Sequence, residues 1–173
     1  MRGHVILSHG SGSGPQATKV SVLAEAAESM GFGTERPDYR DCDTLGEEAS
    51  VAPRVARLLE RIRAASEPPI LVGSSMGAFV SGLASREAPC RALFLLALPV
   101  GIPGVQPQFD MTRDIPAMLV HGFADELCPA DAALAFAEKA GMPALLVNDG
   151  HRLADNVPII EHQFRLFLEH LEA

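Results

Sequence analysis

The sequence predicts an α/β fold in which one open, doubly wound, six-stranded parallel sheet is covered by helices on both faces. Three observations lead there. Short apolar runs alternate along the 173 residues with segments of helical period, the rhythm of strand–helix–strand units. Four of the runs are almost unbroken in their apolar character, as strands buried on both sides must be. Hydrophobic residues make up 47% of the chain, enough for one sizeable core, so a single domain over residues 1–173 is expected.

The strands are expected at 4–9 (HVILSH), 33–39 (GTERPDY), 69–74 (PILVGS), 92–98 (ALFLLAL), 117–122 (AMLVHG) and 144–149 (ALLVND). The second is polar and holds Pro37, which cannot donate to a ladder, so it belongs at an edge. The opening residues form the first strand, since one Arg and a four-residue apolar core make a poor signal peptide. Among the helices, the first puts Val20, Leu23, Ala27 and Met30 on one face, with Gly31 able to end it in a left-handed conformation. Another carries Val51, Val55, Leu58, Leu59 and Ile62. A third begins at Pro129 and stops at Gly141, and the last aligns Ile160, Phe164, Phe167, Leu168 and Leu171. Residues 100–116 break the rhythm: three prolines, two glycines and no period predict a long loop, and such loops often serve function.

Composition narrows the partners. A net charge of -8 with no basic stripe argues against nucleic acid and against an anionic membrane surface. No apolar run is long enough to span a bilayer. Three widely spaced cysteines, Cys42, Cys90 and Cys128, suit a reducing cytoplasm and form neither a disulfide framework nor a zinc pattern. No pair of histidines has the i, i+4 spacing of a zinc helix, so neither metal nor cofactor is expected.

Chemistry enters through two glycine-rich turns. The first, SHGSGSGPQ (8–16), follows a strand and could present backbone N–H groups to an anion. It fails both phosphate patterns, because no Gly-Lys-Ser/Thr ends it and Pro15 stands where the third glycine of a dinucleotide loop belongs. The second is Gly73-Ser74-Ser75-Met76-Gly77, a G-x-S-x-G between an apolar strand and a helical segment. That context pushes the Ser75 hydroxyl clear of the backbone and aims the Met76 N–H at a developing oxyanion.

A serine needs a base. Asp125 follows the fifth strand and His151 follows the sixth, so both emerge with Ser75 at the C-terminal ends of parallel strands, where open α/β folds hold ligands. The order Ser, Asp, His suits a triad in which His151 takes the serine proton and Asp125 orients its ring. Asp149 and Asp155 remain alternative acids, and Ser74 an alternative nucleophile pointing into packing. The first glycine turn then supplies the second oxyanion donor, the N–H of Ser11, with Gly12 in reserve. His9 and His121 read as hydrogen-bonded scaffold, and His4, His162 and His170 as surface or edge residues. Cys128 reads as a buried bystander, and Arg40, Arg113 and Arg152 as solvated.

With His9-Gly10-Ser11-Gly12, Gly73-Ser74-Ser75-Met76-Gly77, His121-Gly122-Phe123-Ala124-Asp125 with Pro129, and Gly150-His151 assembled, the chain resembles the α/β-hydrolase superfamily over nearly its whole length. Within it the sequence is similar to the small, minimal serine hydrolases of the dienelactone-hydrolase-like, lid-less type. The resemblance implies a sheet of order 2-1-3-4-5-6, all parallel. It also implies a serine hydrolase cleaving small carboxylic esters or thioesters through an acyl-enzyme. An acyltransferase or peptidase on the same residues, or a non-catalytic binding protein on this scaffold, stands as the alternative. Two departures are visible: the first two strands of the full family sheet are missing, and residues 100–116 replace the helix between the fourth and fifth strands. Dienelactone hydrolases proper usually carry cysteine where this chain has Ser75.

Overall fold

The structure is a computed structural model, and it describes residues 1–106 and 108–172. Six strands, β1 (His4–Ser8), β2 (Gly33–Glu35), β3 (Ile70–Ser74), β4 (Ala92–Leu96), β5 (Ala117–Gly122) and β6 (Ala144–Val147), form one sheet. Its order is β2-β1-β3-β4-β5-β6 and every pairing is parallel. The helices are α1 (Thr18–Ser29), α2 (Arg40–Asp43), α3 (Glu47–Ala64), α4 (Met76–Ser85), α5 (Ala130–Ala140) and α6 (Val157–Glu172), the last preceded by a 3₁₀ turn at Ala154–Asn156.

Strand alternation divides the core in two. Ile6, Leu71, Leu93, Leu95 and Leu119 face one way and pack with α3, α4 and α5. Val5, Leu7, Ile70, Val72, Phe94, Leu96 and Val120 face the other way and pack with α1 and α6, where Phe94 meets Phe164 and Phe167 at 5.0 and 5.4 Å. Adjacent residues of one strand serve opposite cores because the pleat has a period of two. The unbroken apolar runs follow from that.

The second strand lies at the sheet edge but ends at Glu35, short of the expected 33–39; Pro37 cannot extend a ladder. The chain then turns through α2, four residues whose length gave no periodic signal. Helix α3 starts at Glu47, four residues before its apolar stripe, directly after Gly46, which has φ 90°. Helix α5 begins directly after Pro129 and ends on Gly141 in the left-handed conformation, φ 66°.

The described residues of 100–116 contain no helix or strand, as expected, and Pro107 lies outside them. The loop covers α4 and α5 by burying Ile102, Val105, Phe109 and Met111. Phe109 stacks on Phe79 at 5.9 Å and meets Phe136 edge-on at 4.8 Å. It replaces a helix by plugging the core with its own aromatic and aliphatic side chains. No helix among the described residues is long and apolar enough to cross a membrane.

Candidate active site

The turn from β3 into α4 carries one of the four non-glycine residues with positive φ among the described residues. Ser75 sits at φ 55°, ψ −116°, a conformation that a residue with a Cβ adopts only under strain. Its N–H is held by the Leu96 carbonyl at 2.9 Å, and its carbonyl accepts from Phe79. The turn is tight enough to exclude side chains on either side. A Cβ on Gly73 would lie 2.2 Å from the Gly77 carbonyl oxygen, and one on Gly77 would lie 2.0 Å from that of Ser8. The two glycines of the motif are therefore demanded by packing against each other and against β1.

Three side chains meet at this end of the sheet. Ser75 Oγ lies 2.9 Å from His151 Nε2, and His151 Nδ1 lies 2.8 Å from Asp125 Oδ2. The carboxylate fixes the proton on Nδ1, which leaves Nε2 as the acceptor of the Ser75 hydroxyl. Asp125 is itself held: Oδ1 accepts the N–H groups of Leu127 (2.9 Å) and Cys128 (2.7 Å), and its side chain is fully buried. The His151 side chain keeps 13% of its exposure, so the chain of hydrogen bonds runs from the interior to an open rim.

The other acids are engaged elsewhere. Asp149 accepts from Gly150 N–H (2.8 Å), Asp155 N–H (3.0 Å) and Asn156 Nδ2 (3.0 Å), a local cap on the loop before α6 that lowers its pKa despite the opposing effect of burial. Asp155 is exposed, and Ser74 is buried at the end of β3.

The remaining histidines are placed as scaffold or surface. His9 is buried, its Nε2 accepting the Tyr39 N–H (2.9 Å) and its Nδ1 donating to the Gly10 carbonyl (2.8 Å). Burial depresses its pKa, which the nearby Arg54 charge lowers further. His121 is also buried; its Nε2 donates to the Cys128 carbonyl (2.8 Å), 3.3 Å from Asp125 Oδ2. Its Nδ1 has no hydrogen-bond partner among the described residues. His162 and His170 are exposed, and His4 faces Glu35 across 3.5 Å at the sheet edge. Arg40 pairs with Asp38 and is mostly exposed, Arg113 pairs with Asp110, and Arg152 is exposed.

A cavity of about 210 Å³ opens at Ser75. Ser11, Met76 and His151 border it on the polar side; Ile102, Pro103, Leu127 and Cys128 supply apolar wall. Ser11 and Met76, one from each glycine turn, thus border the same cavity as Ser75, and neither N–H donates to a backbone carbonyl among the described residues. A groove of about 990 Å³ lies farther off, along α3 and α4; it holds none of these groups and touches the smaller cavity only at Glu47. Hydrogen-bonding chemistry, not size, identifies the candidate site.

Asp125, Cys128 and His151 bring one donor atom each within 4.8 Å of one another. The donor set suits hydrogen bonding better than metal binding. Both Asp125 oxygens already accept, and burial, with the Asp125 charge adding to it, pushes the Cys128 thiol up to about 12, where it stays protonated.

Sequence reasoning missed one group at this end of the sheet. Arg54 of α3 is fully buried, paired with Asp43 at 2.6 Å and stacked 4.7 Å from the Tyr39 ring centre. A signal for it existed. Arg54 falls at i+3 from Val51 and i−4 from Leu58, on the apolar face, where a charge must have partners.

The chain belongs to the Alpha/beta hydrolase family, whose family model matches residues 5–155. A solved structure from Xanthomonas campestris pv. campestris, assigned to the alpha/beta superfamily of hydrolases, is 42% identical with a TM-score of 0.93, covering 97% of this chain and 99% of that one. Est1E from Butyrivibrio proteoclasticus with ferulic acid bound has the same fold at 16% identity and a TM-score of 0.75, over 98% of this chain and 89% of that one. So does XC6422 from Xanthomonas campestris, an a/b serine hydrolase without lid, at 18% identity and a TM-score of 0.72, over 96% and 81%. No curated protein sequence matches this chain.

Proposed function

We propose that this protein is a serine hydrolase that cleaves small carboxylic esters or thioesters through an acyl-enzyme. The observation that carries the reading is the continuous path from Ser75 Oγ to His151 (2.9 Å) to Asp125 (2.8 Å), beginning at a strained turn. In this reading Ser75 Oγ attacks the ester carbonyl carbon while His151 Nε2 takes its proton. The carbonyl oxygen becomes an oxyanion, held by the N–H groups of Met76 and Ser11. Collapse of the tetrahedral intermediate breaks the bond to the alkoxide or thiolate, which leaves with the proton from His151. Water, deprotonated by His151, then attacks the acyl-enzyme and releases the carboxylic acid and free Ser75. Asp125 stabilises the imidazolium that forms twice in the cycle.

Size supports a small acyl group, since about 210 Å³ accommodates a short chain against the apolar wall of Ile102, Pro103 and Leu127, with Glu47 the one carboxylate on the lining. The test is labelling with a fluorophosphonate, read by mass spectrometry, beside hydrolysis of p-nitrophenyl acetate. Wild type should carry one adduct, on Ser75, and turn over the ester; Ser75→Ala should do neither. Turnover that survives in folded Ser75→Ala overturns the assignment.

A further inference from the structure

The proposed mechanism leaves one buried charge without a task. Arg54 Nη1 donates to the His9 carbonyl at 2.6 Å and Nη2 to the Gly10 carbonyl at 3.2 Å. The same guanidinium grips Asp43 through Nε (2.7 Å) and Nη2 (2.6 Å). Its planar fork thus spans a carboxylate on one side and two consecutive peptide carbonyls on the other, something a point-charge ammonium cannot do.

The direction of those carbonyls matters. A trans peptide unit is planar, with its C=O and the following N–H pointing in opposite directions. Holding the Gly10 carbonyl toward α3 therefore turns the Ser11 N–H away from α3. What lies on that side is the candidate site: a Cβ on Gly10 would sit 3.4 Å from the Ser74 carbonyl oxygen and 3.5 Å from Ser75 Cβ, and Ser11 borders the Ser75 cavity. In extended chain, consecutive carbonyls alternate in direction. Two in a row on one guanidinium thus mark a bend, which also turns two consecutive N–H groups, of Gly10 and Ser11, to the other side, the arrangement of an anion-binding nest.

The clamp is itself fixed from several sides. His9 Nδ1–H gives the Gly10 carbonyl a second donor, and the Tyr39 N–H holds His9 in the tautomer that can donate there. The Tyr39 ring packs against the guanidinium, and its hydroxyl pairs with Ser8 Oγ at 2.9 Å. Helices α2 and α3 are thereby tied to the loop after β1.

We propose that Arg54 is a positioning residue: by holding the His9 and Gly10 carbonyls it aims the Ser11 N–H at the oxyanion. The proposal rests on the function proposed above. It assigns the buried Arg54–Asp43 pair a role in catalysis rather than in stability alone.

The test compares wild type with Arg54→Lys, which keeps the charge and loses the fork. A second variant, Asp43→Leu with Arg54→Met, removes both buried charges together and so leaves neither unpaired. Each is measured on p-nitrophenyl acetate and on the matching thionoester, with circular dichroism to show that it is folded at the assay temperature. Losing one oxyanion donor costs about 10²–10³ in kcat, so a misaimed one should cost on the order of 10–10². We expect that fall in kcat in both variants, with KM within about threefold and the pH profile unmoved. The preference for ester over thionoester should shrink by about tenfold, because sulfur accepts hydrogen bonds weakly. A folded variant with wild-type kcat and wild-type ester preference overturns the positioning role. Absence of both turnover and fluorophosphonate labelling in wild type overturns the function on which it rests.

Discussion

Replacing Gly77 by Ala separates steric demand from conformational demand in the turn that holds Ser75. The added Cβ would stand 2.0 Å from the Ser8 carbonyl oxygen, 2.6 Å from its carbon and 2.9 Å from the His9 carbonyl oxygen. All three are main-chain atoms at the end of β1, which is paired on both sides by β2 and β3 and cannot swing away. The tightest contact a Cβ tolerates is 3.0 Å, so helix α4 and the loop after β1 must part by about 1 Å. Overpacking of this kind costs about 3 kcal/mol, which for a chain of this size lowers Tm by about 6–12 °C. A 1 Å displacement between Ser75 and the Ser11 N–H should also cost about 10² in kcat. Gly141→Ala is the control. It has open space around its Cβ but a φ of 66°, so it should cost about 1 kcal/mol in stability and nothing in turnover. Thermal melts followed by circular dichroism and initial rates on p-nitrophenyl acetate read both effects. If Gly77→Ala melts no lower than Gly141→Ala and keeps wild-type kcat, the close approach of α4 to β1 is wrong.

The other expectations concern protons. Asp125→Asn keeps an acceptor for the Leu127 and Cys128 N–H groups but can present an amide to His151 Nδ1, which favours the tautomer that cannot accept from Ser75. Steady-state kinetics should show kcat down by about 10⁴ with a folded protein, and a loss below tenfold would speak against Asp125 as the orienting acid. Burial raises the thiol pKa of Cys42, that of Cys90 to about 11 and that of Cys128 to about 12. A disulfide reagent at pH 8 should therefore find almost no reactive thiol in the native protein and three in urea; a fast-reacting native thiol would contradict their burial. His9 has a depressed pKa when folded, so the unfolded chain takes up its proton first as pH falls below 6.5. Its contribution to stability is complete above 6.5 and is lost as pH drops through the window below. Following its imidazole by NMR should show no titration at 6.5 in the native protein; a midpoint at or above 6.5 would exclude the buried, neutral ring.

Much of this molecule is legible along the chain because its signals are local. Unbroken apolar runs such as Leu93–Leu96 mark strands covered on both faces, and the stripe through Ile160, Phe164 and Leu168 marks the helix that covers one of them. The spacing Gly73, Ser75, Gly77 encodes the strained turn because a strand must reverse into a helix within two residues there. Ser75, Asp125 and His151 could be gathered without coordinates, since parallel strands send all their C-terminal ends to one edge. Other features had no local signature. Helix α2 is four residues long, barely one helical turn, so its apolar pattern has no room to repeat. The second strand stopped at Glu35 where side-chain character alone suggested that it continue.

The layered fold and the sheet edge at which Ser75, His151 and the candidate acids gather can be read along the chain, because periodicity and glycine spacing are properties of neighbouring residues. Folding selects the acid that faces His151, Asp125 rather than Asp149, and buries Arg54 against the carbonyls of His9 and Gly10. Those outcomes depend on the direction of a carboxylate and a guanidinium across 26 and 44 to 45 residues of chain, and direction at such range is set by packing.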